Sequence, residues 1–359
     1  MISRKKKKIL QVINTLGIGG AETLVKDLSI LLNDQYDVTL FVLGGKDTFL
    51  TEQLKENNIK VIKKTEKIRS IKNLLWLFKN IDKYDVIHSH LSYAQYLVAI
   101  NKIFHPNKVY VTTEHSTFNR RQGMKIFKWI EYFVYSCYDK TIVISQGTEE
   151  ALIKWQPSIE NKVVVIENGI NLSKFKLATP LQEFCPEEIN IVMTAAFRHE
   201  KDQDTLIRSL THLPLEYTLY LVGDGERKAD LKSLVHNLNL ESRVHFLGIR
   251  NDVEKIYKSC DIFVLSSHWE GFGFVAIEAM ASELPVIASN VSGLAQVVGK
   301  YGVLFEPGNH EQLASKILEL SQNQNKKDEL IKQASVYSER YDIKTMTQKY
   351  MNLYEGRDV

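Results

Sequence analysis

Residues Asp261–Met280, "DIFVLSSHWEGFGFVAIEAM", join an apolar strand pattern to a helix pattern through a loop that glycines interrupt. If the whole step from Glu270 to Glu278 were helical, the two side chains would lie roughly 80° apart around the axis. If the helix instead begins near Phe274, both carboxylates border its N-terminus, where free N–H groups and the helix dipole attract anions. The stretch therefore predicts a strand–loop–helix unit that binds a ligand with phosphate and hydroxyl groups. A plain turn with two solvated glutamates is the alternative.

The same alternation of short β-branched runs with longer helical patterns continues along the chain, which is typical of parallel sheets with crossover helices. It predicts an α/β fold of two Rossmann-like, doubly wound domains that face an interdomain cleft. A polar stretch with two prolines and no clear periodicity separates seven predicted strands from six. The predicted division is residues 1–172 for the first domain, 173–188 for the linker and 189–339 for the second domain.

Composition excludes several classes of protein. The chain of 359 residues is 44% hydrophobic and 25% charged, as in a folded soluble protein, and its net charge of +3 is too small to indicate a nucleic-acid partner. Cys137, Cys185 and Cys260 are isolated, so neither a disulfide framework nor a zinc site is expected. No apolar run reaches 18 residues, the length that a membrane-spanning helix needs. These features predict a cytoplasmic protein.

Three further motifs are expected at the carboxyl ends of strands, where open α/β sheets bind ligands. The loop "NTLGIGGAETL" lacks the third glycine and the acidic residue of a nicotinamide site, but Gly19 and Gly20 allow close approach of a ligand. His115 ends a strand, where it can hydrogen-bond or accept a proton. Arg198 and Lys201, between a strand and a helix, suit a diphosphate clamp. A structural turn, a structural histidine and a charged surface loop are the respective alternatives.

Two basic segments suggest contact with a membrane. The arm "SRKKKK" precedes the first strand, and Arg120, Arg121, Lys125 and Lys128 accompany an apolar stripe of Phe127, Ile130, Phe133 and Val134. A basic amphipathic helix can lie on an anionic bilayer, so we expect peripheral contact with the inner face of the cell membrane. A solvated arm and a stripe that is buried in its own domain remain the alternative.

The second half resembles the retaining glycosyltransferases of family 4, or glycosyl transferases group 1, which have the GT-B fold. A strand with G-x-G at Gly223, a strand that ends in "FLG" and the pattern E-G-F-G-x-x-x-x-E carry the resemblance, with "GGAE" and "IENGIN" in the first half. It implies that Glu278 binds the donor ribose and that Glu270 contacts the transferred sugar. It also implies that residues 340–359 return to the first domain as a final helix.

The resemblance gives the other candidate residues their roles. The backbone from Phe272 through Gly273 to Phe274 would face the sugar and diphosphate, and the Gly19–Gly20 loop would close on the diphosphate. His115 would lie beside the sugar, and Arg198 and Lys201 would hold the departing diphosphate. The predicted catalytic residues are thus His115, Arg198, Lys201 and Glu270, and the predicted donor-binding residues are Gly19, Gly20, Arg198, Lys201, Gly223, Glu270, Phe272, Gly273, Phe274 and Glu278.

Two departures from the family pattern affect these assignments. Ala196 stands where many members have arginine, so Arg198 is the candidate replacement, and "SGLAQVVG" has Ser292 and Gln296 where glycine and glutamate are usual.

The chemistry expected is transfer of a sugar from a nucleotide diphosphate, with uridine favoured, to a hydroxyl of a saccharide or lipid-linked saccharide, with retention and no metal or other cofactor. The expected role is cell-surface polysaccharide synthesis. A nucleotide-sugar epimerase and a non-catalytic nucleotide-sugar-binding protein are the rival hypotheses.

Overall fold

The computed structural model describes residues 6–17, 19–116, 125–185 and 187–358, with the backbone alone for residues 125 and 126. It divides into two compact units. Unit 1 comprises Met1–Gly169 and Ile343–Val359, and unit 2 comprises Ile170–Asp342. The first boundary falls shortly before residue 172, the predicted end of the first domain.

Unit 1 contains a parallel sheet of seven strands in the order β3-β2-β1-β4-β5-β6-β7. Most of these strands are buried along their length because helices cover both faces, as is usual for parallel sheets. The strands are β1 Lys8–Ile13, β2 Asp37–Val42, β3 Lys60–Lys63, β4 Val86–His90, β5 Val109–Glu114, β6 Lys140–Val143 and β7 Val163–Val165. The helices between them are α1 Gly20–Leu32, α2 Phe49–Glu56, α3 Ile71–Asn80, α4 Ser92–Phe104, α5 Lys125–Ser136 and α6 Gln146–Trp155.

Unit 2 repeats the design with six parallel strands in the order β10-β9-β8-β11-β12-β13. The strands are β8 Ile189–Thr194, β9 Tyr217–Val222, β10 Val244–Gly248, β11 Ile262–Leu265, β12 Val286–Ser289 and β13 Val303–Phe305. The helices are α7 Leu172–Lys176, α8 Gln203–Ser209, α9 Lys228–Asn237, α10 Val253–Lys258, α11 Phe274–Ala281, α12 Ser292–Val298, α13 His310–Gln322 and α14 Gln324–Ser338. The prediction of an α/β fold with two doubly wound sheets is confirmed.

Each sheet reverses its strand order at one point, and ligands of open α/β sheets bind beside such a point. The reversal lies between β1 and β4 in unit 1 and between β8 and β11 in unit 2. The loops that follow β1, β8 and β11 are those in which the sequence places its glycine, cation and glutamate motifs. The topology therefore positions these motifs at the switch point of their own sheet.

The segment of the predicted linker is packed into unit 2. Leu172–Lys176 form α7, and the side chains of Phe175 and Phe184 are buried in the unit 2 core. Because the segment is polar and contains prolines, its sequence pattern does not indicate that Phe175 and Phe184 are core residues.

The last helix, α15 Ile343–Tyr354, belongs to unit 1 and lies against α1. Its buried face includes Met346, Tyr350 and Tyr354. A Cβ atom on Gly169 would lie 2.6 Å from the Ile343 Cα atom, so only glycine fits where the chain passes this helix.

The apolar stripe on α5 is divided between core and surface. Val134 is buried, whereas Ile130 and Phe133 are 42% and 47% exposed and the neighbouring Trp129 is 75% exposed. Of the basic residues that accompany the stripe, Lys128 is exposed; Arg120, Arg121 and the side chain of Lys125 lie outside the described residues.

The described part of the basic arm is tied to unit 1. Lys7 Nζ lies 2.8 Å from Glu355 Oε2, and Lys6 Nζ donates to the Asn33 carbonyl at 2.9 Å. Among the described residues, no helix is both long and apolar enough to cross a bilayer.

Candidate active site

The loop after β8 places two of the predicted cations. Residues His199–Lys201 form a 3-10 turn, and Asp202 then adopts a left-handed conformation with φ of 49° and caps α8 through the Thr205 N–H. Burial raises the pKa of Asp202 above its usual range. The turn thus ends at a fixed carboxylate, which holds Lys201 in place beside the strand end.

Lys201 forms an ion pair with Glu270 of the loop after β11. Both side chains are largely shielded, with exposures of 21% and 17%. The same two loops are joined by the His268 N–H, which donates to the Glu200 carbonyl at 2.9 Å. The structure therefore brings together a cation and a carboxylate that are far apart in the sequence, at the switch point of the unit 2 sheet.

Arg198 has a different environment. Its side chain is 63% exposed, and its Nη1 atom lies 3.9 Å from Glu200 Oε1. An exposed ion pair at this distance contributes little stabilisation, so the guanidinium can reorient. Arg198 stays a predicted ligand of the diphosphate.

The glycine loop ends where the sequence predicts, because α11 begins at Phe274. Gly273 is the N-cap of this helix, with φ of 79°, a conformation that disfavours a side chain, and as a glycine it forms no side-chain cap. The rings of Phe272 and Phe274 pack together, with centroids 4.6 Å apart. Both rings pack against the unit 2 core. The aromatic side chains therefore support the loop, and its backbone is the part that is suited to face a ligand.

Glu278 lies on the second turn of α11 and is partly buried. Its charge lies near Tyr257, since burial and then Glu278 raise the pKa of that phenol well above its usual range. Of the two glutamates in the glycine-loop motif, Glu270 is positioned by its ion pair with Lys201, and Glu278 is positioned by its place on α11.

The glycines after β9 serve close backbone packing. A Cβ atom on Gly223, which has φ of 135°, would lie 2.0 Å from the Ala195 carbonyl oxygen. One on Gly225 would lie 2.5 Å from the Phe197 carbonyl oxygen. These glycines hold the loop that carries Arg198, whether or not Gly223 also contacts the donor as predicted.

Gly293 is a residue that the sequence analysis missed. It lies near the start of α12, and a Cβ atom there would lie 2.0 Å from the Glu270 carbonyl oxygen and 2.9 Å from that of Gly271. The signal in the sequence is the glycine of "SGLAQVVG", which stands directly after Ser292. Gly293 fixes the backbone from which the Glu270 side chain extends.

In unit 1, Gly19 is the N-cap of α1 and has an extended backbone conformation. Because glycine has no side chain, it forms no side-chain cap to the helix. Gly20 is exposed, and a Cβ atom on it would meet no atom within 4 Å. Sterics alone therefore do not require glycine at position 20. Contact between the Gly19–Gly20 loop and a diphosphate stays a prediction.

His115, just after β5, is partly buried and belongs to a cluster with two fully buried histidines. Its Nε2 atom lies 3.2 Å from Nδ1 of His90, the last residue of β4. Burial lowers the pKa of His115 to about 4, so its imidazole is neutral near pH 7. His88 and His90, both fully buried, were not singled out from the sequence, although "HSH" at a strand end was a signal.

The predicted residues thus fall into two sets. Gly19, Gly20 and His115 belong to unit 1, and the remainder belong to unit 2. No group of three or more His, Cys, Asp or Glu side chains in the described ranges could hold a metal ion. Metal independence stays a prediction.

Family models match both halves of the chain. The model for glycosyl transferases group 1 matches residues 182–336, and that for Glycosyltransferase Family 4 matches residues 18–174. The chain belongs to glycosyltransferase family 4. The resemblance that the sequence motifs indicate is therefore confirmed.

The relatives of this chain include two bacterial transferases. The Escherichia coli protein named UDP-Gal:alpha-D-GlcNAc-diphosphoundecaprenol alpha-1,3-galactosyltransferase is 28% identical over 291 residues, 75% of each chain. The Campylobacter jejuni protein named N-acetylgalactosamine-N,N'-diacetylbacillosaminyl-diphospho-undecaprenol 4-alpha-N-acetylgalactosaminyltransferase is 25% identical over 317 residues, 84% of this chain and 86% of its own.

Among solved structures, HepE of Anabaena in complex with UDP superposes with a TM-score of 0.84 at 23% identity. The match covers 97% of this chain and 100% of that one. This likeness establishes the GT-B fold of the family 4 enzymes for the present chain.

Proposed function

We propose that this family 4 glycosyltransferase moves a hexose from a UDP-sugar to a hydroxyl of a lipid-linked saccharide, with retained anomeric configuration. The observation that carries this proposal is the Lys201–Glu270 pair beside the N-terminus of α11, where the N-cap residue is a glycine. A leaving diphosphate needs positive charge and N–H donors, and a sugar needs hydrogen-bond acceptors. The pair and the helix supply both kinds of group at one strand edge.

The chemical step follows from these groups. The bond between the anomeric carbon and the diphosphate oxygen breaks as an oxocarbenium-like state develops, and negative charge grows on the diphosphate. Lys201 and the α11 amides stabilise that charge, with Arg198 free to reorient toward it. Glu270 exchanges part of its ion pair for a sugar hydroxyl. The acceptor oxygen bonds to the anomeric carbon on the face that the diphosphate leaves, and its proton passes to the departing phosphate oxygen.

The choice of substrates draws on the relatives. The Escherichia coli relative is named for a UDP-galactose donor, and both bacterial relatives are named for acceptors linked to a diphosphate-bearing undecaprenol. HepE has been solved with UDP and with UDP-glucose. We therefore propose a UDP-hexose donor, a polyprenyl diphosphate-linked acceptor and a role in cell-surface polysaccharide synthesis.

A donor panel tests this function. Purified enzyme is incubated with individual UDP-sugars, with and without an undecaprenyl diphosphate-linked saccharide, and UDP release and the glycosidic product are measured. We expect acceptor-dependent release of UDP and an axial-type linkage that retains the donor configuration. A changed donor sugar without acceptor would support an epimerase, and binding without turnover of any donor would support a binding protein.

Glu278→Ala tests the predicted contact with the ribose. Loss of hydrogen bonds to the ribose should weaken UDP binding by roughly 1–3 kcal/mol, which is about 30-fold at the midpoint of that range. Calorimetry with UDP measures it, and Glu311→Ala, at the exposed start of α13, serves as the carboxylate control. Equal UDP affinity in wild type and Glu278→Ala would contradict the ribose role.

We also propose that unit 1 contacts anionic membrane through α3, α4 and α5. Large apolar side chains are exposed on all three helices, and α4 contacts both of the others. The Phe78 and Phe104 rings meet at 5.4 Å, which joins the exposed groups of α3 and α4 into one surface. The exposed side chains are Ile71, Leu75, Phe78, Ile100, Ile103, Phe104, Trp129, Ile130, Tyr132 and Phe133.

Lysines accompany this apolar surface. Lys72 and Lys79 are exposed on α3, Lys83 follows it, and Lys128 is exposed on α5. A basic residue near an anionic bilayer contributes about 1 kcal/mol, and aromatic side chains insert at the interface. The surface suits a bilayer that carries the lipid-linked acceptor.

Sedimentation with phosphatidylglycerol vesicles tests this surface. We expect wild type to pellet at low salt and less at high salt, because salt screens the lysines. The double variant Phe78→Ser/Phe104→Ser should lose most binding, whereas Leu215→Ser, which changes an 83% exposed leucine in unit 2, should not. Equal pelleting of the double variant and wild type would contradict the assignment.

A further inference from the structure

A line of buried hydrogen bonds in unit 1 leads from β1 to His115. The side chain of Gln11 on β1 reaches His90 on β4, with 2.7 Å between Gln11 Oε1 and His90 Nε2. His90 Nδ1 in turn lies 3.2 Å from His115 Nε2. Gln11 and His90 have no exposed surface. The family resemblance implies that His115 lies beside the sugar, and it implies no role for the two residues behind His115.

The direction of these hydrogen bonds follows from the groups that form them. An amide oxygen can only accept, so His90 Nε2 carries a hydrogen and donates it to Gln11. Burial lowers the pKa of His90 well below its usual range, so this ring has a single N–H and its Nδ1 is an acceptor. His115 Nε2 must then carry a hydrogen to form the next bond. Because His115 is also neutral, its Nδ1 has no hydrogen.

A second bonded pair holds the Gln11 amide in this orientation. Its Nε2 donates to Tyr354 Oη at 3.3 Å, and that hydroxyl lies 2.6 Å from His88 Nδ1. A hydroxyl with one hydrogen that accepts from the amide gives its own hydrogen to His88. His88 Nε2 then donates to Thr113 Oγ1, 2.8 Å away. The last helix of the chain therefore supports the orientation of Gln11.

The line ends at an acceptor without a partner. His115 Nδ1 is buried and has no hydrogen-bond partner among the described residues. A buried polar atom is normally hydrogen-bonded, so an exception at the end of an oriented network indicates a place for a ligand donor. A sugar hydroxyl is such a donor.

We propose that Gln11 and His90 are positioning residues that hold His115 in the Nε2–H tautomer, so that its bare Nδ1 accepts a hydrogen bond from a substrate hydroxyl. The identity of that hydroxyl as part of a sugar rests on the proposed function. The tautomer does not, because it is a property of the protein without substrate.

Gln11→Met is the decisive variant. Methionine has a similar length but cannot accept a strong hydrogen bond, so a hydrogen on His90 Nε2 would be left buried and unsatisfied. If His90 instead carries its hydrogen on Nδ1 and donates to His115 Nε2, the hydrogen of His115 moves to Nδ1, where it too lacks a described partner. The two directions then leave the same number of buried groups unsatisfied, so the preference of His115 for the Nε2–H tautomer is lost at nearly constant volume.

Long-range ¹H–¹⁵N correlation spectra of the full-length protein with ¹⁵N-labelled histidine detect this loss of preference at neutral pH, and His115→Asn assigns the signals. In wild type we expect a pyrrole-type Nε2 and a pyridine-type Nδ1 for His115. In Gln11→Met we expect both nitrogens to shift toward intermediate values, because both tautomers become populated. An Nδ1–H ring in wild type, or an unchanged His115 pattern in Gln11→Met, would overturn the proposal.

Ser89→Ala is the matched control. Ser89 lies between His88 and His90, is equally buried, and bonds to Thr112 and Tyr138 rather than to the histidines. We expect this variant to keep the His115 pattern and kcat/KM, whatever stability it loses.

Gln11→Met should lose about 3- to 10-fold in kcat/KM, the worth of one neutral hydrogen bond. Loss of activity without a change of tautomer would place Gln11 among purely structural residues, and inactivity of wild type with the expected tautomer would count against the proposed reaction alone.

Discussion

Replacing Lys201 with alanine is expected to lower kcat by about 100- to 1000-fold, the usual cost of removing one group that stabilises developing negative charge. Lys201 is shielded, paired with Glu270 and held by a turn that ends at a buried carboxylate. Removing the ammonium leaves Glu270 close to the departing diphosphate, so repulsion adds to the lost attraction. Steady-state assay of UDP release with saturating donor and acceptor measures the effect.

Two further variants separate charge from position. Lys228→Ala removes a lysine whose Nζ lies 2.8 Å from Asp224 in an exposed pair of the same unit, and it should change kcat by less than about twofold. Lys201→Ala/Glu270→Gln removes the charge of both partners. If Lys201 served only to place Glu270, the double variant would be no slower than Glu270→Gln. That outcome, or near-normal kcat in Lys201→Ala, would contradict direct charge stabilisation.

Replacing Gly293 with alanine should reduce kcat/KM by about 100-fold, although the residue need not touch substrate. Its Cβ atom would lie 2.0 Å from the Glu270 carbonyl oxygen, far inside van der Waals contact, so the loop after β11 must move. A displacement of about 1 Å in a positioned group can cost that factor. Steady-state kinetics and calorimetry with UDP measure how this displacement changes kcat/KM and the affinity for UDP.

Gln296→Ala is the control for this variant, because it changes an exposed side chain on the same helix and leaves the backbone contact intact. It should retain kcat/KM within about twofold. A kcat/KM close to that of wild type in Gly293→Ala would mean that α12 moves instead of the loop. The position of Glu270 would then not depend on the contact between position 293 and the Glu270 carbonyl oxygen.

Features with a local cause could be predicted from the sequence. The start of α11 at Phe274 follows from the glycines before it and the apolar run after it, and the thirteen predicted strands follow from β-branched runs bounded by turn residues. Family 4 membership followed from motifs that are equally local. Such signals lie within a few residues of one another, so no knowledge of tertiary packing was needed.

Features that depend on contacts between distant parts of the chain could not be predicted from the sequence. Lys201 and Glu270 form a pair because β8 and β11 are neighbours at the switch point, which the order of residues does not reveal. Gly293 is constrained by a carbonyl in another loop. The line from Gln11 to His115 requires β1, β4 and β5 to be adjacent in that order. The apolar stripe on α5 divides between core and surface because packing, not periodicity, decides which side chains are covered.

The membership of α15 in unit 1 has a consequence for synthesis of the chain. Residues 170–342 are an insertion within the unit formed by residues 1–169 and 343–359. On the ribosome, unit 2 has all of its residues before unit 1 does, and domains generally fold as they emerge. Unit 1 must therefore wait, with the sheet surface beneath Tyr350 and Tyr354 uncovered, until residues 343–354 have been synthesised. A stop codon shortly before residue 343 would leave a folded second unit attached to a first unit that lacks its final segment.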